Sequence, residues 1–296
     1  MQKTRGAGPV QIAIHLGAHC TDEDLILRTL GENTSLLTQH SVAVPPGGKA
    51  RPAIRKALQG EAALLPGAAN PLLQELLTDQ DADRVVLSYE GFLGVYAKVL
   101  NGTGMYAEVG RRAEMLRDVF PGHEVRFYLA LRNPATFIPA LFEASSATEF
   151  PAFIAGQDLA SMLWSGPVSR IREACPDVPL TLWCNEDLPL LWPDVLGAIA
   201  GIDVDLEGED AVLRQVMTRE GYKRFTSYLR DNPTRSRATW RKVVTAFLGK
   251  YADEKAVAPE ITLPGWTEEM IVTLSSLYEH DVAAIRARVD VTFLAP

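Results

Sequence analysis

The chain is poor in cysteine, in positive charge and in long apolar runs, and each shortage removes a class of function. Its 296 residues include three cysteines, Cys20, Cys175 and Cys184. An odd and unpatterned set of thiols argues against a disulfide scaffold and fits reduced cysteines in a cytoplasmic protein. Lys and Arg number 29 against 37 Asp and Glu, a formal charge of −8, which opposes non-specific attraction to nucleic acid or to an anionic membrane. No stretch approaches the length of a membrane span. The opening MQKTRGAGPVQIAIHLG lacks the apolar core and small-residue cleavage site of a secretory signal. Neither nucleic acid nor membrane is expected as a partner. Walker, Gly-x-Gly-x-x-Gly and nucleophile-elbow sequences are missing too, so NTPase, dehydrogenase and hydrolase readings lack support.

What is present is ordinary globular composition, 47 % hydrophobic and 22 % charged. Short β-branched or apolar runs at Gln11 to Leu16, Arg84 to Ser88, Val125 to Leu131 and Leu180 to Cys184 predict four strands. Helical patterns lie between and after them: from Asp22, from Arg111 to Phe120, from Pro134 behind an Asn133 cap, and from Pro189 to Ile199. Such alternation predicts an α/β fold with a parallel sheet flanked by helices. The Pro-, Gly- and Ala-rich region from Ser41 to Pro71 is expected to be irregular, with a short helix around Ile54 to Leu58. Past Gly201 the pattern is helical, over Ala211 to Leu229, Thr239 to Tyr251 and Glu268 to Val289. The last places Met270, Leu274, Leu277, Tyr278, Val282, Ile285 and Val289 on one face, which predicts packing against the core. One domain spans 1–296, with 201–296 as its mainly helical C-terminal portion.

A glycine loop between a first strand and a helix is where doubly wound proteins bind phosphate, because free backbone N–H groups and the positive helix end converge there. The stretch Ile14-His15-Leu16-Gly17-Ala18-His19-Cys20-Thr21 resembles the opening of bacterial sulfotransferases, His-Ile-Gly, two variable residues, then Lys-Thr-Gly-Thr-Thr. The resemblance implies the sulfotransferase type of the P-loop NTPase-like fold. It also implies that Gly17, Ala18, His19, Cys20 and Thr21 hold the 5′-phosphosulfate of 3′-phosphoadenosine-5′-phosphosulfate. The family lysine falls on Cys20, the following glycine on Asp22 and the two threonines on Glu23 and Asp24, while Thr21 is kept. A thiol cannot take the lysine's part in stabilising leaving-group charge. The residues themselves also admit a structural reading, Thr21 as N-cap with Asp24 completing a capping box.

Arg132-Asn133-Pro134, followed by Ala140, resembles the family's second motif, Arg-Asp/Asn-Pro and then a serine at fixed distance, which in relatives holds the 3′-phosphate. Arg132 is kept and the serine falls on Ala140. An arginine at a strand end suits a bidentate phosphate contact or, equally, a structural ion pair. Ser88-Tyr89-Glu90 resembles the family's Ser-Ser-Glu, which makes Glu90 the candidate general base and leaves a loop acid or helix cap as its plain alternative. His15 is the second candidate base. Trp183-Cys184-Asn185-Glu186-Asp187 and Tyr278-Glu279-His280-Asp281 resemble family segments that support structure. The implied reaction is sulfuryl transfer to a hydroxyl of a carbohydrate or small-molecule acceptor, without a metal. The alternative is a non-catalytic member of the fold that binds a glycan, nucleotide or protein.

Three further features carry weaker signals. Arg219 to Lys242 contains Lys223, Arg224, Arg230, Arg235, Arg237 and Arg241, which reads as an anion-binding segment or a solvated face. His15 and His19 are four apart, but His15 ends a strand, so metal spacing is not expected to be realised. Cys20 beside a helix N-terminus is either a reactive thiol or a passive replacement, with acidic neighbours opposing the thiolate.

Overall fold

The computed structural model describes residues 8–61, 64–78, 81–101, 104–154, 156–233, 236–258 and 260–296. Its strands are, in chain order, β1 (Gln11–His15), β2 (Val42–Ala43), β3 (Arg84–Ser88), β4 (Leu100–Asn101), β5 (Gly104–Met105), β6 (Glu124–Leu131), β7 (Leu180–Cys184) and β8 (Thr292–Phe293). Six of them form one sheet in the order β2-β3-β1-β6-β7-β8, while β4 and β5 pair separately. Every ladder of the large sheet is parallel, as the alternation of strands and helices predicts.

The four expected strands are buried on both faces, which is why they read as nearly continuous apolar runs. Ile12, Ile14, Leu87, Phe127 and Leu182 face one layer of helices, including Gly47–Leu58, Val109–Asp118, Pro134–Ala144 and Glu268–Arg286. Ala13, Val86, Ala130 and Trp183 face the other, made by Leu25–Glu32 and Leu188–Ala200. The chain thus leaves β1 toward one layer and leaves β3 and β6 toward the opposite one. That divergence opens a crevice at the carboxyl end of β1, the place where open α/β sheets bind ligands. Helices Ala211–Val216, Arg219–Asp231 and Arg237–Tyr251 surround a separate small cluster around Phe225, Trp240 and Val244.

Several elements depart from the sequence expectation. The segment from Ser41 to Pro71 is more regular than its Pro and Gly content suggests: it holds β2 and helix Gly47–Leu58, whose face Ala50, Ala53, Ile54 and Ala57 is buried. Val42 and Ala43 become a strand because β3 supplies hydrogen-bonding partners, a cause invisible in two residues. The expected helix from Ala211 to Leu229 is two helices. The first ends at Val216 and Thr218 caps the second, its Oγ1 accepting the N–H of Gly221 at 3.1 Å. The last helix stops at Arg286, so Val289 is exposed rather than packed. After it the chain adds β8 beside β7, a strand the sequence reading lacks.

Arg84, read from sequence only as the first residue of a strand, ties the layers together. Its side chain is buried, and its guanidinium donates to the carbonyls of Ile199 at 2.9 Å and Ala198 at 3.1 Å and to the Tyr128 hydroxyl at 2.6 Å. Those carbonyls end helix Leu188–Ala200, where a cation also meets the negative end of the helix dipole. Gly201 follows in the left-handed region at φ 71°, and a Cβ there would come within 2.7 Å of the Arg84 guanidinium. Replacing Arg84 leaves buried acceptors unpaired, so Arg84→Met is expected to lower stability by about 3 kcal/mol, read as a shifted urea midpoint with the slope preserved. An unchanged midpoint would show that water satisfies those carbonyls.

Candidate functional site

Parallel register sets the geometry at the carboxyl end of β1. His15 lies opposite Ser88 on β3 and opposite Tyr128 on β6, so the chain just beyond each strand reaches the same crevice. Gly17 continues the ladder, its carbonyl accepting the N–H of Ala130 at 2.7 Å. Its φ of 104° demands glycine, and an added Cβ would press on Glu90 Cβ at 3.1 Å and Cα at 3.2 Å. The close approach of two backbones at Gly17 brings the β3 loop onto the β1 loop.

Glu90, Arg132 and the loop from Gly17 to Thr21 are therefore brought together, and they meet on one residue. The N–H of Cys20 donates to Glu90 Oε2 at 3.3 Å. The carbonyl of Cys20 accepts from the Arg132 guanidinium, whose Nε also donates to Thr136 Oγ1 at 3.2 Å. The other Glu90 oxygen accepts the Tyr96 hydroxyl at 2.5 Å. Burial lowers the pKa of Arg132, opposed by the acidic groups and the thiol around it. Burial also pushes the Cys20 thiol up to about 12, ahead of the opposing pull of Arg132. Burial thus favours a protonated thiol at neutral pH, which argues for the passive-replacement reading of Cys20.

His19 points inward. It is buried, its N–H donates to the Tyr106 hydroxyl at 3.1 Å, and its ring nitrogens meet that hydroxyl at 2.8 Å and the Gly94 carbonyl at 3.1 Å. The Gly94 carbonyl can only accept, so Nε2 carries a proton, and in the neutral ring, which burial favours, Tyr106 donates to Nδ1. His15 is also buried, stacked on Trp183 with centroids 5.8 Å apart, and its Nδ1 lies 2.9 Å from Ser88 Oγ. The two histidines turn to different partners, and no metal-holding group of three or more His, Cys, Asp or Glu exists among the described residues. Ala18 is buried, its carbonyl accepting the Thr21 hydroxyl at 2.7 Å. Ala140 is half-buried on helix Pro134–Ala144 and brings no polar atom to the crevice.

The capping-box reading of Thr21 is corrected. Cys20, Glu23 and Asp24 all adopt positive φ, at 55°, 47° and 64°, which keeps the chain out of a helix until Leu25. Thr21 bonds back into the loop, and it is Asp22 Oδ2 that accepts the Ile26 N–H at 3.1 Å. Asp24 turns outward to pair with Arg51, a partner the sequence reading placed in an irregular region. The acidic run thus does not fill the loop, whereas Glu90, from another strand, does.

The remaining motif residues hold structure. Asn133 caps its helix, Oδ1 accepting the Ala135 N–H at 2.9 Å. Glu186 accepts the Asn133 N–H at 2.8 Å and the Tyr278 hydroxyl at 2.9 Å, which joins the ends of β6, β7 and the last helix. In the basic segment Arg224, Arg230, Arg237 and Arg241 are each paired with a carboxylate, which favours the solvated, internally neutralised reading. Arg235 lies outside the described residues. Tyr96, Tyr106 and Arg51 are the site residues that sequence reasoning missed: Tyr106 and Arg51 act through partners distant in the chain, and Tyr96 through a Glu90 contact six residues away that no motif marks.

No protein-family model matches the chain, and no curated protein matches it in sequence. Among the described residues no helix is long and apolar enough to cross a membrane.

Burial lowers the pKa of both His15 and His19 from the ordinary 6.5. The unfolded chain takes up protons below that value while the folded chain resists them, so stability is full above about 6.5 and falls as pH drops beneath it. Urea midpoints measured on both sides of 6.5 are expected to show this fall, and the double substitution His15→Gln, His19→Gln is expected to flatten it. A slope unchanged in that variant would assign the acid sensitivity to other groups.

Proposed function

We propose that this chain keeps a sulfotransferase-type framework but works as a binding protein for a small molecule or glycan, with its donor loop closed by its own carboxylate. One observation carries the reading: the Cys20 N–H, which in the resembled family would face the phosphosulfate, is already given to Glu90. The neighbouring His19 N–H is given to Tyr106. A phosphosulfate entering the loop meets a carboxylate where it needs donors. One like charge about 4 Å away costs roughly 4 kcal/mol at an effective dielectric of 20, or about a thousandfold in affinity. The half charge of a helix end returns only about 0.3–1 kcal/mol, and here the helix begins four residues beyond Thr21.

The chemistry of position 20 points the same way. Leaving-group stabilisation needs a fixed positive charge beside the bridging oxygen, and a thiol with its pKa pushed up to about 12 supplies none. His15, the second candidate base, is sealed against Trp183 and has no path to an acceptor hydroxyl.

A second reading, sulfuryl transfer itself, is favoured by the convergence of Arg132 and Glu90 on Cys20. In that reading 3′-phosphoadenosine-5′-phosphosulfate displaces the Glu90 carboxylate, and Arg132, always cationic, turns to a phosphate. Glu90 then takes the proton of the acceptor hydroxyl as its oxygen bonds to sulfur and 3′-phosphoadenosine-5′-phosphate departs.

Calorimetric titration with 3′-phosphoadenosine-5′-phosphate separates the two. The wild type is expected to give no heat of binding at micromolar ligand, and the Glu90→Ala, Cys20→Lys double variant is expected to bind. Micromolar binding to the wild type, lost in Arg132→Ala, would overturn the binding-protein reading in favour of transfer.

A further inference from the structure

Outside the closed loop, on the side of the sheet toward which β3 leaves, lies a cleft of about 260 Å³. Three arginines line it, Arg51 and Arg55 from helix Gly47–Leu58 and Arg112 from helix Val109–Asp118, and no carboxylate does. Such a concentration of guanidinium groups in a chain of net charge −8 is not explained by internal neutralisation, which accounts for the basic segment near the C-terminus. Arg51 gives one terminal nitrogen to Asp24, while its Nε is buried without a hydrogen bond. The Arg55 and Arg112 guanidiniums make no ion pair or hydrogen bond among the described residues.

The cleft is also built rather than incidental. The Tyr89 ring forms part of its floor, lying edge to face with Phe92 at 5.5 Å and under the Arg51 guanidinium at 4.5 Å. Gly91 is what lets the ring lie there, since a Cβ at that position would come within 2.4 Å of Tyr89 Cζ. Arg112 rests against Gly94, whose carbonyl holds His19. Ile54, Leu58, Phe92 and Met115 add apolar lining.

We propose that this cleft binds a small aryl oxyanion, an aromatic body carrying a phosphate, sulfate or carboxylate head. The head lies among Arg51, Arg55 and Arg112, where planar forks suit oxyanion geometry, and the body lies on Leu58, Phe92 and Met115. Volume selects the size. A cavity of about 150 Å³ holds benzene, so 260 Å³ accommodates one ring with its head group. It falls below the roughly 300–1,000 Å³ typical of larger ligands, which favours one ring with its head group over a nucleotide. Net charge selects the head: Asp24 offsets Arg51, so two uncompensated cations remain, and a phosphate monoester matches them best.

The assignment rests on the binding-protein reading above, but the two fail separately. The probe is phenyl phosphate, titrated calorimetrically into the full chain at low and high salt, with phenol and inorganic phosphate as partial ligands. Phenyl phosphate is expected to bind at least tenfold more tightly than either, with affinity falling as salt rises. Arg55→Gln, at an exposed position that spares the fold, and Arg112→Gln are each expected to weaken it about tenfold, and Arg224→Gln, an exposed arginine paired with Glu220 in the C-terminal helices, to leave it unchanged. Equal affinity for phenol and phenyl phosphate, or indifference to both cleft substitutions, would overturn the proposal. Displacement of phenyl phosphate by 3′-phosphoadenosine-5′-phosphate instead would place the anion in the loop and sink the closed-loop reading as well.

Discussion

Two charged side chains from the strands flanking β1 hold a single residue, and the site takes its form from that clasp. Glu90, beyond β3, receives the Cys20 N–H, and Arg132, beyond β6, donates to the Cys20 carbonyl. A residue whose N–H and carbonyl are both held cannot turn its donor toward a ligand. The same hold keeps Cys20 in the left-handed region and delays the helix to Leu25. Asp22 and Asp24 are then free for other work, one accepting from Ile26 and the other pairing with Arg51. Net electrostatics follow from the clasp too, because the carboxylate that repels an incoming anion is the one that satisfies the loop.

Around the clasp, several buried polar groups are matched across elements, while His15 Nε2 and Trp183 Nε1 are buried without a partner among the described residues. His19 satisfies both ring nitrogens, Glu186 binds the Asn133 amide and the Tyr278 hydroxyl, and Arg84 serves two helix-end carbonyls and a tyrosine. Each matched set joins residues from different layers, which gives the crevice rigid walls. The arginine cleft differs in kind. Two of its three guanidiniums lack a partner among the described residues, and unsatisfied charge in a shaped concavity is what a ligand site offers.

Much of the fold was legible because burial on both faces writes a plain signal. Arg84 to Ser88 and Leu180 to Cys184 were expected with the bounds they have, and the four expected strands occupy the middle of the sheet. The edges were not legible, since β2 and β8 are two residues each and exist only because β3 and β7 offer them a ladder. Composition misled at Gly47–Leu58, where Pro52 lies inside a helix that its buried alanines and Ile54 hold against the sheet. Asn133 capped its helix as expected because a cap is a local event, complete within three residues.

By itself, then, the sequence determined the parallel α/β core, the glycine loop after β1 and the presence of a thiol rather than a cation at Cys20, because these depend on local pattern and residue type. It also named Glu90 and Arg132 as residues of one crevice, through a resemblance in motif order. Only the tertiary structure decided that Glu90 faces the Cys20 amide, that His15 and His19 turn inward, and that Arg51 and Arg55 meet Arg112. Those facts hang on contacts between residues tens of positions apart, and the sign of an electrostatic interaction is set by where a charge sits, not by its place in the chain.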